Sequence, residues 1–464
     1  MRDYQDIIAS KSRMFQGAGL SGWDTVELHP SLKPHQEHGV RFALRTGRSA
    51  AFFDTGLGKT RIALEWARVV RERTGRPVLM LTPVACGRQH AREAQSIGVD
   101  AEVCREGNSG KHDIDIANYE RIDKFDLDAY SGVVLDESGI LKSYTGKTSQ
   151  ALIQAFARIP YRLAATATPA PNDYTELGQH SEFVGAMERL DMIGRWFIVS
   201  QQDANLYRLK KPAIVPFWDW VASWARCVSK PSDLGFSDEG YDLPPLEVVS
   251  SVVDFNSDSE DVEAGGQAVL WGSGKASATG IHKAKRQSNA ARADRTAEIV
   301  HAEPDQPFIV WCDTDYEADA AMDRLGFDAV EVRGSMSPEA KEEKLMAFAD
   351  RQVRVLVSKV RICGFGMNFQ HCGRQVFMGP SFSYEQFYQA VRRSWRFGRL
   401  DPVKVWRVMA RDEAFIAANV NRKAQDHDAM KIQMRAAMQR AVEAQQVTMR
   451  PYSPKSNIKL PNWL

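Results

Sequence analysis

No stretch of this 464-residue chain stays apolar for the ~18 residues that a membrane helix needs. The opening residues from Met1 to Asp6 are polar and charged where a secretory leader carries its apolar core. No membrane partner is therefore expected. Cys86, Cys104, Cys227, Cys312, Cys363 and Cys372 form no C-x-x-C pair and have no histidine at zinc spacing. Reduced, buried thiols in a cytoplasmic protein are expected, rather than disulfides or a metal site. A charge of one sign is also lacking: 60 Lys+Arg against 59 Asp+Glu leave +1, which excludes a wholesale polycation. No repeat of solenoid length is visible.

A chain of this length exceeds one ordinary core, so two or three domains are expected. Its hydrophobic content of 44% and charged content of 26% are those of a globular protein. Short apolar runs alternate with helical stretches in two blocks. The first has strands at 50–53, 78–82, 114–117, 132–135 and 161–165, and the second at 307–311, 329–332, 353–357, 375–378 and 403–408. Apolar runs flanked by helices predict parallel sheets buried on both faces. The expected architecture is α/β: two doubly wound parallel-sheet lobes with a cleft between them. The first lobe takes 1–245, including a Trp-rich segment from 185. A linker rich in Gly, Ser and Asp takes 246–280, the second lobe takes 281–412, and a helical, basic extension takes 413–464. Helix is expected to about 446, whereas Pro451 to Leu464 lacks helical periodicity. Trp218, Trp220 and Trp224 have the spacing of a small packed core, with a base-stacking wedge as the alternative.

Asp54, Thr55, Gly56, Leu57, Gly58, Lys59 and Thr60 follow the apolar run Ala50–Phe53 and precede a helix-patterned stretch. Strand, tight loop and helix form the context of a phosphate-binding loop. Gly56 and Gly58 let the backbone close on a triphosphate, and the N–H groups from Thr55 through the helix start then face the phosphates. Lys59 would reach the β- and γ-phosphates, and the Thr60 hydroxyl would be a ligand of Mg²⁺. The full pattern has glycine where Phe53 stands.

A second signal is the strand Val133–Leu135 ending in Asp136 and Glu137. Carboxylates at the C-terminal edge of a parallel sheet lie where α/β proteins bind ligands. Asp136 suits a water-mediated Mg²⁺ contact, and Glu137 suits activation of an attacking water. A capped helix start is the structural alternative. Following a phosphate loop in the same sheet, the pair reads as catalytic.

With these motifs in order, the chain resembles the superfamily-two helicase and translocase ATPases from about Leu32 to Arg411. The likeness is closest to the Swi/Snf-like branch and to the DEAD/DEAH-box type of bacteriophages and prophages. Two tandem RecA-like lobes with ATP between them are what this implies. By resemblance, Gln36 reads adenine; its amide offers both a donor and an acceptor. Thr82, Pro83 and Asn118 look like first-lobe residues that grip a nucleic-acid strand. Thr166 and Thr168 resemble the motif that couples ATP state to strand contacts, followed by Asn172. Arg333, Gly334, Ser358 and Lys359 look like second-lobe strand contacts, and Gly366 would approach the ATP ribose. Gln389, Arg393, Arg396 and Gly398 match the sixth motif, in which Gln389 contacts nucleotide. Arg393 and Arg396 share one helix face and would serve as arginine fingers. The family has a tryptophan near His90 and a glutamine at Arg399, so both positions depart.

The resemblance implies an ATP- and Mg²⁺-dependent DNA motor, a helicase or duplex translocase, working as a monomer in a bacterial or phage-infected cell. DNA would be held mainly by its backbone, with little sequence specificity. Other replication or recombination proteins are conceivable partners. An RNA helicase, an ATP-gated DNA clamp and a nuclease-associated motor are the rivals. Residues 421–464 hold eight Lys/Arg against three Asp/Glu. That basic tail reads either as a nucleic-acid contact or as a solvated helix that braces the second lobe.

Overall fold

The computed structural model describes residues 15, 17–83, 86–142, 146–171, 173–199, 207–254, 285–363, 368–379, 383–411 and 414–446. Seven strands build the first sheet: β1 (Arg48–Phe53), β2 (Val78–Thr82), β3 (Ala101–Val103), β4 (Ile114–Asn118), β5 (Gly132–Asp136), β6 (Tyr161–Ala165) and, beyond the β7–β8 hairpin, β9 (Ala225–Val228). Their order is β3-β4-β2-β5-β6-β1-β9, and every pairing is parallel. β7 (Phe197–Val199) and β8 (Tyr207–Leu209) form the separate antiparallel hairpin. β2 and β5 are buried along their whole length, as strands covered by helices on both faces must be.

The second sheet has six parallel strands: β10 (Leu246–Val253), β11 (Phe308–Cys312), β12 (Ala329–Val332), β13 (Val355–Lys359), β14 (Arg374–Met378) and β15 (Val403–Ala410). Their order is β10-β15-β14-β11-β13-β12. The two-lobe α/β architecture expected from the sequence is thus present. The linker boundary needs correction. Leu246–Val253, at the start of the span expected as linker, is an edge strand paired with β15 from Leu246–Val403 to Val253–Ala410. Its partner lies more than 150 residues away in the chain, so no local pattern announces the pairing. Residues 255–284 and 447–464, which include the rest of the expected linker and the closing segment, lie outside the described residues.

One apolar core lies on each face of each sheet. The tryptophans belong to the first of them. Trp196, Trp218, Trp220 and Trp224 are all buried, and the Trp196 and Trp220 rings approach to 4.5 Å. The packed-core alternative therefore holds for this segment. A long helix, Ala414–Gln446, follows the second lobe in the chain but packs back on the first. Its Met430, Met434 and Ala437 enter the tryptophan core, and Met438 enters the core on the opposite face. Arg435 and Arg440 pair with Asp233 and Asp219 of the first lobe.

Candidate nucleotide site

β1 delivers the chain at Phe53 into the loop, and the helix Lys59–Thr74 takes it up beyond Gly58. Gly56 and Gly58 have φ of 93° and 81°, a region costly for any residue with a side chain. At Gly58 space forbids one as well, since a Cβ would lie 2.1 Å from Gln36 Nε2. That amide donates to Leu57 O at 3.2 Å, while Gln36 Oε1 accepts from Lys33 N at 3.0 Å. Gln36 thus ties its own helix start to the phosphate loop, and both ends of the amide expected to read adenine are engaged. Lys59 Nζ donates to Phe53 O at 3.0 Å and so spans the loop. Burial lowers its pKa, opposed by Glu137, Asp54 and Asp136. The Thr55 hydroxyl is buried with no hydrogen-bond partner among the described residues, and Thr60 stands half-buried in the first helical turn.

β5 ends in the acidic pair. Asp136 Oδ2 lies 2.7 Å from His90 Nε2 and 3.5 Å from Thr82 Oγ1. The Tyr119 hydroxyl donates to the Asp136 carbonyl at 2.6 Å. Burial alone would raise the Asp136 carboxyl, but His90 and Lys59 bring it below its usual value. Its neighbour goes the other way. Burial raises Glu137, Asp136 and Glu385 add to the rise, and Lys59 and Arg393 offset only part of it. Glu137 also has φ of 55°, a conformation that costs a non-glycine residue on the order of 1–3 kcal/mol. A strained carboxylate with raised pKa at the end of a central strand is suited to accept a proton.

The second lobe closes this site with the helix Tyr384–Val391 and the turns after it. Lys142 of the first lobe is paired with Glu385 of the second. Gln389 Nε2 donates to Thr168 Oγ1 at 3.3 Å, and Gln389 Oε1 accepts from Arg393 at 2.8 Å. Gln389 therefore joins the lobes and orients an arginine. Arg393 is buried within electrostatic reach of Glu137 and Asp136. Burial and the charges of Arg393 and Arg392 push Arg396 down to about 10, and the nearby Glu93 opposes them. Lys59 of the first lobe and Arg393 of the second thus lie within electrostatic reach of each other and of the acidic pair, and Arg396 lies within reach of Arg393. The glycine turn, the orphaned Thr55 hydroxyl and this cation set fit a triphosphate, and Thr60 with Asp136 fits its Mg²⁺. Gly366 and Asn172 lie outside the described residues.

The residues expected to grip a strand are not gathered in this way. Thr82, Thr166, Thr168 and Ser358 are buried. Thr166 Oγ1 accepts from Thr168 N at 3.2 Å, and the Ser358 hydroxyl donates to Val332 O at 2.8 Å. Their hydroxyls hydrogen-bond within the protein interior. Pro83 and Asn118 are half-buried, and Gly334 is exposed. Arg333 pairs with Asp319 and Glu331, and Lys359 with Asp315 at 2.8 Å.

Residues 291–398, from the helix Asn289–His301 to the arginine turn, match the helicase conserved C-terminal domain. The match supports a member of helicase superfamilies one and two. That domain is one of helicase-type, nucleic-acid-dependent ATPase motors. No curated protein matches the chain. No described helix is long and apolar enough to cross a membrane.

In the cleft the structure adds residues that sequence reasoning missed. His90 holds Asp136, and Lys142–Glu385 bridges the lobes. Arg392 donates to the loop carbonyl Thr55 O at 2.6 Å. Asp54 collects Tyr388, Arg392 and Lys431. One sequence signal was available: Lys431 interrupts the apolar stripe Met430, Met434, Ala437, Met438.

Proposed function

We propose that this chain is a DNA motor that turns closure of the cleft on ATP into movement along duplex DNA or remodelling of it. The observation that carries this reading is Arg393, delivered by the second lobe and buried opposite Glu137 and Lys59 of the first. Such a site is complete only when the lobes are together, so turnover and lobe movement are linked.

In the proposed reaction, the water oxygen attacks the γ-phosphorus and the bond to the β–γ bridging oxygen breaks. Glu137 takes the water's proton, for which its raised pKa prepares it. Lys59 neutralises the β/γ oxygens, and Arg393 and Arg396 stabilise charge on the transferred group. A Mg²⁺ held by Thr60 and Asp136 would supply further neutralisation of the phosphate oxygens. Orthophosphate and ADP leave as the lobes part. Strand contacts in both lobes, with Asn118 on one and Arg333 and Lys359 on the other, would then shift relative to each other. The Swi/Snf-like and phage-type resemblance favours duplex DNA over RNA, and true strand separation is the second reading.

The test is ATP hydrolysis with no polynucleotide, single-stranded DNA, duplex DNA, forked DNA and RNA. Stimulation greatest with duplex or forked DNA is expected. Stimulation by RNA alone would make the chain an RNA helicase. Tight ATP-dependent DNA binding without stimulated turnover would make it a clamp.

A further inference from the structure

Asp54 opens the phosphate loop, and its carboxylate is buried. Its amide is tied to the sheet by donation to Val228 O at 2.8 Å. Four donors surround its side chain. Oδ1 accepts from Thr55 N at 2.7 Å and from the Tyr388 hydroxyl, with Arg392 at 3.3 Å. Oδ2 accepts from Lys431 Nζ at 3.0 Å, and Lys431 also donates to the Tyr388 hydroxyl at 3.1 Å. Three separate parts of the chain thus meet at one residue of the loop.

These partners come from different elements. Tyr388 and Arg392 ride on the second lobe. Lys431 lies on the helix Ala414–Gln446, which is anchored to the first lobe by Met430, Met434, Ala437 and two ion pairs. Were the lobes to part, Tyr388 and Arg392 would leave Asp54 with the second lobe, whereas the first-lobe contacts of its helix would keep Lys431 in place. A buried carboxylate without its counter-ion, at the base of a loop that receives a polyanion, would both repel the nucleotide and strain the loop.

We infer that Lys431 is a positioning residue of the nucleotide site, the standing counter-ion of Asp54 that keeps the phosphate loop ready for ATP while the cleft is open. The C-terminal helix is thereby a third component of the site, acting through the loop and not on the reacting atoms. This inference rests on the ATP-site reading above.

The experiment uses the full-length protein and follows ATP hydrolysis and melting temperature together. Lys431→Met should raise KM for ATP about tenfold, with a smaller change in kcat, because it weakens the open form. Lys431→Arg should restore KM. Adding Asp54→Asn to Lys431→Met should recover part of the loss, since the carboxylate needing a partner is gone. A Lys431→Met protein with lowered melting temperature and wild-type KM would overturn the inference, because the lysine would then only pack the helix. Should that variant not fold, Asp54→Asn is compared with and without Lys431→Met. Equal KM in the two supports the coupling, and a difference beyond about threefold refutes it. Lys59→Ala is the control: if it leaves KM and turnover at wild-type values, the ATP-site reading itself has failed. If Lys59→Ala is inactive and the Lys431 variants are silent, only this inference falls.

Discussion

The cleft and the surface expected to meet nucleic acid both hold basic side chains, yet they use them differently. In the cleft, half-buried Lys59 and buried Arg392 and Arg393 come together from two lobes, and burial lowers the pKa of Lys59 and Arg393. On the surface of the second lobe, Arg333 and Lys359 are partly exposed and paired with nearby acids of their own lobe. The cleft concentrates positive charge at the cost of desolvation, which an incoming polyphosphate relieves. The surface has its charge already compensated, by pairs worth only about 0–1 kcal/mol that a phosphate backbone can replace. A low-dielectric cleft gives strong, geometrically demanding binding, and a solvated surface gives weak, exchangeable contacts suited to a moving grip.

The comparison breaks most readily at Lys59. Lys59→Ala should reduce phosphate release by more than about 10³-fold, since it deletes the cation spanning the loop. Wild-type turnover in that protein would remove the cleft half of the argument. Next in size is Arg393→Ala, expected to cost on the order of 10³-fold in kcat because the residue acts once the lobes are closed. A collapse of ATP affinity with turnover of bound ATP preserved would make Arg393 a ground-state ligand. On the surface the effect should be far smaller and differ in kind. Lys359→Ala should reduce the log–log salt slope of duplex DNA binding by about 0.9, the value of one lost phosphate contact. An unchanged slope would leave Lys359 as the local partner of Asp315 only.

The smallest effect sharpens the contrast through pH. Burial alone would raise Asp54, but Arg392, Lys431 and the Tyr388 hydroxyl hold it well below the usual carboxylate value. Its folded pKa therefore lies below the unfolded one. The ionised group contributes stability above the unfolded value of about 3.9 and loses it as pH falls toward the folded value. The melting temperatures of wild type and Asp54→Asn should hold a constant difference above about pH 5 and converge as pH is lowered below about 4. Curves that stay parallel would show that Asp54 carries no net stabilising charge.

Much of this molecule was legible in its residues. The strands at 78–82, 132–135 and 161–165 and the helix to 446 were readable because apolar runs and helical periodicity are local. So was the Gly56–Thr60 loop, whose glycines answer a backbone requirement within a few residues. The β10 edge strand and β9 were not, since each is a strand only by virtue of a distant partner. Resemblance points to Gln36 and Gln389, but their amides bridge parts of the protein in ways that sequence position does not reveal.

What the sequence by itself determined is the two-lobed α/β order and the contiguous elements of the candidate site: strand, glycine loop and Lys59, then strand, Asp136 and Glu137. Each depends on backbone conformations and side chains that are neighbours in the chain. Only the tertiary structure decided which charges meet. Asp54 lies 338 positions before Arg392 and 377 before Lys431, and their contact exists only because both the second lobe and the returning C-terminal helix pack against the loop. Burial then turns those meetings into strong interactions, since the same charges in water would scarcely sense one another.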